Sequence, residues 1–71
     1  MNTTHKALLE MAKSTSYPLE VRAAAVQGLG FHGAVDVQKA LIDIAKSTSY
    51  PLEVRAAAAK AAGQASKDEK S

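Results

Sequence analysis

The chain has no cysteine and no tryptophan in 71 residues, and its aromatic side chains are Tyr17, Phe31 and Tyr50 alone. Without cysteine there are no disulfide staples, no thiolate nucleophile and no thiolate ligand for zinc, a composition compatible with a reducing compartment. With few rings and many alanines, burial has to come from numerous small contacts and closely approaching helices rather than from bulky anchors. Long apolar runs are missing too. No window nears the roughly 20 apolar residues of a membrane helix, and "MNTTHKALLEMAKS" lacks an apolar segment followed by a small-residue cleavage site. The expected location is cytoplasmic. Nor does one sign of charge dominate: nine Lys and Arg face seven Asp and Glu, interleaved, for a net charge of +2. That balance describes a solvated surface rather than a stripe for polyanions.

What the chain does have is repetition. The segment "AKSTSYPLEVRAAA" occurs as residues 12–25 and again, unchanged, as residues 45–58. Shifted by 33 positions, Lys6 to Ala25 meets Lys39 to Ala58 with 17 of 20 pairs identical; the exceptions, Leu9/Ile42, Glu10/Asp43 and Met11/Ile44, keep their apolar or acidic character. A fixed period of this length marks stacked supersecondary units. The expected domain is residues 1–65, made of units 1–33 and 34–65, followed by a polar, disordered tail at 66–71.

Within each unit the apolar spacing is helical. Val21, Ala24, Ala25, Gly28 and Leu29 form one stripe and Val54, Ala57, Ala58, Ala61 and Ala62 repeat it, at the i, i+3, i+4, i+7, i+8 spacing of a helix with one buried face. The preceding helices carry Leu8, Met11 and Ala12, and Val37, Leu41, Ile44 and Ala45. The third helix also has Val35 and Ile42 on another face, which suits packing on two sides. Pro18 and Pro51 fit the first helical position, with Glu20 and Glu53 in the first turn and Lys13 and Lys46 in the last turns of the preceding helices. Gly30 and Gly63 read as left-handed helix stops. The expected fold is all-α: four helices, at about Thr3 to Lys13, Pro18 to Leu29, Ala34 to Lys46 and Pro51 to Ala65, as two stacked helical hairpins.

"PLEVRAAAVQGLG" and "PLEVRAAAAKAAG" resemble the second helix of HEAT-like repeats, particularly the short kind of the phycobilisome lyase group, and "KALIDIAK" resembles the first helix of that unit. The resemblance covers nearly the whole chain and implies a short α-solenoid that holds another macromolecule. It implies structural roles for Val21 and Val54 as inward residues and for Arg22 and Arg55 as braces to a neighbouring loop or helix. No catalytic or chromophore-binding motif is carried over with it. Solenoids generally need three or more units and polar caps, and a chain of this size buries only about 60% of its unfolded surface. A homodimer or a small subunit of a complex is therefore expected.

The candidate partner-binding residues are the doubled loop, Ser14, Thr15, Ser16 and Tyr17 with Ser47, Thr48, Ser49 and Tyr50. Neighbouring hairpins lie roughly 8–10 Å apart, so equivalent loops form a ladder along one edge, and tyrosines flanked by hydroxyls are the composition that interfaces favour. The bland alternative is a duplication in which each Tyr packs over its own hairpin. Arg22 and Arg55 suit carboxylates, with Glu20, Asp36, Asp43 and Glu53 available in the same units. His5 and His32 are the two histidines; His32 and Asp36 have ligand spacing but no third ligand, and no metal or cofactor is expected. "GLGFHG" has no preceding strand to make it a phosphate loop. Nothing sets a base beside a nucleophile, and two hairpins hardly enclose a substrate cavity, so an enzyme is not expected. The reading is a non-catalytic protein-interaction scaffold. Two alternatives stand beside it. One is an accessory protein gripping a nucleic-acid backbone through Lys6, Lys13, Lys39 and Lys46, opposed by acids with the same period; the other is an accessory subunit of a lyase-like complex.

Overall fold

The computed structural model describes residues 2–31 and 34–70, the last six of these by backbone alone. Four helices follow one another: α1 (Thr3–Lys13), α2 (Leu19–Leu29), α3 (Val35–Lys46) and α4 (Leu52–Lys70). Among the described residues every regular element is a helix.

Local chemistry sets the ends. Asn2 caps α1 by accepting the His5 N–H at 2.8 Å, which satisfies one of the donors a helix start leaves open. Pro18 lies one position earlier than expected. Its ψ of 155° keeps it outside the helix, and its carbonyl accepts the N–H groups of Val21 and Arg22. Pro51 likewise precedes α4 and accepts from Arg55 N–H. At the start of α3, Asp36 Oδ1 accepts the Val37 N–H at 2.9 Å.

Both glycine stops differ from expectation. Gly30 ends α2 in the right-handed region, at φ −68° and ψ −11°, and no described glycine has a positive φ. Gly63 stops nothing. α4 runs through it, past the expected end at Ala65, so residues 66–70 of the expected disordered tail are helical backbone. Gln64, Ala65, Lys67, Glu69 and Lys70 after Gly63 are good helix formers, and one glycine costs a helix only about 1 kcal/mol.

The helices pair as hairpins, α1 with α2 and α3 with α4, and the hairpins join chiefly through α2 and α4. Contact between α1 and α3 is slight by comparison. The centre is formed by Ala12, Val26, Leu29, Val37, Leu41, Val54 and Ala58, all withdrawn from solvent. Val26 lies off the stripe read from the sequence, while Ala24, on that stripe, is exposed and Val21 is only half-buried. The expected second covered side of α3 is absent within the chain: Val35 and Ile42 are exposed.

Candidate functional site

The two arginines do the same job in both units. Arg22 Nε donates to the Ala12 carbonyl at 3.0 Å, and Arg55 Nε donates to the Ala45 carbonyl at 3.1 Å. Those carbonyls sit in the last turn of α1 and α3, where the helix has run out of its own donors and its dipole favours a cation. Each arginine thus ties the second helix of a hairpin to the end of the first. The acids considered for this role, Glu20, Asp36, Asp43 and Glu53, are not what the guanidinium Nε atoms engage.

The doubled loop also has a local explanation. The Ser14 hydroxyl oxygen accepts the Ser16 N–H at 3.2 Å, and Ser47 accepts from Ser49 at 3.2 Å. Ser14 and Ser47 cap α1 and α3, their own N–H groups bonded back to Glu10 and Asp43 carbonyls. A serine that closes the turn after a helix in this way lets the chain reverse within five residues. Thr15, Ser16, Thr48 and Ser49 point outward and are exposed.

The two tyrosines occupy different surroundings. Tyr50 is partly buried against the core and lines an open cleft of about 390 Å³ where α1 and α3 diverge, with Leu9, Lys13, Ala40, Asp43, Ile44 and Ser47. Tyr17 lies outside this cleft and is 43% exposed. The cleft stands half-open to solvent and is not the enclosed substrate cavity that two hairpins were expected to lack. Lys13 and Asp43 bring opposite charges to its wall, an unfavourable lining for a phosphate backbone.

Comparing equivalent residues shows which surfaces the stack covers. Both units have the same hairpin partners, so a residue buried in one copy and exposed in the other is covered by the neighbouring unit. Val26 in α2 is buried and Ala59 in α4 is exposed; Leu19 is half-buried against the core and Leu52 is 74% exposed. Those positions define the face that the first unit turns towards the second. In the opposite sense, Ala57 and Val54 are buried while Ala24 is exposed and Val21 half-buried. The stack therefore ends in two open faces, one on α3 and α4 around Ile42 and Leu52, and one on α1 and α2 around Tyr17, Val21 and Ala24.

Among the described residues, no three or more His, Asp or Glu side chains gather as a metal site. His5 is buried at the first turn of α1, and His32 lies outside the described residues. No helix among the described residues is long and apolar enough to cross a membrane. The sequence reading missed the cleft and the closing role of Ser14 and Ser47. The signal for the serines was present, a hydroxyl directly after each helix two residues before a free N–H.

No curated protein and no solved structure matches the chain. The family of HEAT repeats matches it over residues 5–71. Two helical hairpins with a doubled arginine brace, matched over nearly their whole length, make this chain a member of the HEAT-repeat family.

Proposed function

We propose that the chain is a non-catalytic protein-interaction module, close to the short phycobilisome lyase-type HEAT repeats, that works in the cytoplasm as a homo-oligomer or as a small subunit of a complex. The observation that carries this reading is the pair of open end faces. Each presents residues of the kind the two units use to hold one another, with Ile42 45% and Leu52 74% exposed at one end and Tyr17 43% exposed at the other. Exposed apolar side chains clustered on a small chain mark a surface that meets another protein. The outward hydroxyls of Thr15 and Ser16 beside Tyr17 give the loop edge the mixed polar and aromatic character of a contact rim.

The test is a pull-down from the native host with the immobilised chain, run beside Tyr17→Ala. Specific retention of a protein by the wild type, reduced in Tyr17→Ala at unchanged melting temperature, supports the reading. Absence of any specifically retained protein, together with a salt-sensitive gel shift on DNA or RNA, overturns it in favour of a nucleic-acid role.

A further inference from the structure

We infer that the partner of each end face is a second copy of this chain, docked head-to-tail by the same step that relates the two units, so that copies add as further hairpins of one stack. This inference rests on the protein-interaction reading and names the partner within it.

The first unit offers Leu9, Lys13, Leu19 and Val26, and the second receives them with Ile44, Tyr50, Val54 and Ala57 around Asp43. A shift of 33 residues converts the offered set into Ile42, Lys46, Leu52 and Ala59, and the receiving set becomes Met11, Tyr17, Val21 and Ala24 around Glu10. Both shifted sets are on the chain, and both lie at its open ends. Ile42, Lys46, Leu52 and Ala59 are exposed; Tyr17 and Ala24 are exposed while Met11 and Val21 are half-buried. The two ends are thus complementary for the reason that the two units are, down to charge: Lys13 and Asp43 share the internal cleft, and Lys46 and Glu10 take their places between copies.

Room for a close approach is present as well, although α4 runs on past Gly63 whereas α2 ends at Gly30. Inside the chain Gly30 permits the close approach of Ala61; between copies the equivalent positions are Gly63 and Gly28, and Gly63 has open space around it. The intermolecular contact is weaker than the internal one. Ala59 and Ala62 stand where Val26 and Leu29 stand in the first unit, so less apolar area is buried, and joining separate chains costs translational and rotational freedom that an internal contact does not. Because the contact is heterologous, its repetition does not close at two chains and copies add without a built-in limit.

Sedimentation of the whole chain from micromolar to millimolar concentration tests this. The expected result is an average mass that climbs with concentration past that of a dimer. Ile42→Glu blocks one end and Ala24→Glu the other, both at exposed positions; each variant alone stays monomeric, and an equimolar mixture forms a dimer that grows no further. Leu52→Glu repeats the first block at a more exposed position should Ile42→Glu unfold, with circular dichroism reporting folding. A monomeric wild type at all concentrations, a wild-type dimer whose mass stops at two chains, or undiminished association of either variant overturns the inference. A monomeric wild type that still retains a host protein in the pull-down overturns the self-stacking alone and leaves the interaction reading intact.

Discussion

Gly30 lies so close to Ala61 of α4 that a Cβ added to it would fall 2.7 Å from the Ala61 Cβ, 2.9 Å from its Cα and 3.0 Å from its carbonyl oxygen. Two of those atoms are backbone and cannot rotate away. Since Gly30 has ordinary right-handed dihedrals, Gly30→Ala introduces no conformational strain, and its whole effect is to push α2 and α4 apart. It is expected to destabilise the fold by about 1–3 kcal/mol, the usual range for overpacking. Ala61→Gly opens part of the space, so urea unfolding of the double variant should show a smaller loss than the sum of the two single losses.

Gly63, at the equivalent place in the second unit, is expected to behave in the opposite way. It is helical, it lacks a positive φ, and nothing stands within 4 Å of an added Cβ. Gly63→Ala should stabilise the chain by roughly 0.5–1 kcal/mol, the helix-interior difference between the two residues. Thermal melts of dilute protein read this directly, with helicity at 222 nm in far-UV circular dichroism unchanged or raised.

The arginine braces predict an order of effects. Arg22 is buried and Arg55 only half so, while their bonds to Ala12 and Ala45 are nearly equal in length. Removing a charged donor leaves a helix-end carbonyl without its partner, at about 1.5–3 kcal/mol when buried. Arg22→Ala should therefore cost close to the upper part of that range, and Arg55→Ala less, because water reaches the Ala45 carbonyl more readily. Chemical denaturation of the two variants side by side checks the order.

How much of this was legible beforehand depends on the range of the contact involved. The helices, their number and the start of the second helix in each unit could be read from apolar spacing and from Pro18 and Pro51, because those signals act within a few residues. The glycine ends could not. Gly30 is required by a neighbour 31 positions along the chain, and no local rule separates such a glycine from a left-handed stop. Val26 escaped for the same reason, since its burial comes from the other hairpin and its counterpart Ala59 is exposed. Identical sequence likewise hid a real difference in surroundings: Val21 and Val54 share their flanking residues from Ala12 to Ala25 and Ala45 to Ala58, yet Val54 is buried against the other unit and Val21 is only half-buried. The loop that seemed in need of a binding role is partly explained by the hydroxyls of Ser14 and Ser47, which close its turn.

The tyrosines give the sharpest test of that remaining part. Tyr50 packs on the core and lines the cleft beside Leu9 and Ile44, so Tyr50→Ala removes a partly buried ring from between the hairpins. A loss of about 1–3 kcal/mol is expected, below the figure for a wholly buried aromatic. Tyr17, in an identical loop, is covered by no other unit of this structure and is 43% exposed. Tyr17→Ala should change stability by no more than about 0.5 kcal/mol, as an exposed substitution does. If the loop served only its own hairpin, the two variants would lose similar amounts. Unequal melting temperatures, with Tyr50→Ala the lower, show instead that the ring of Tyr50 is used between the two units.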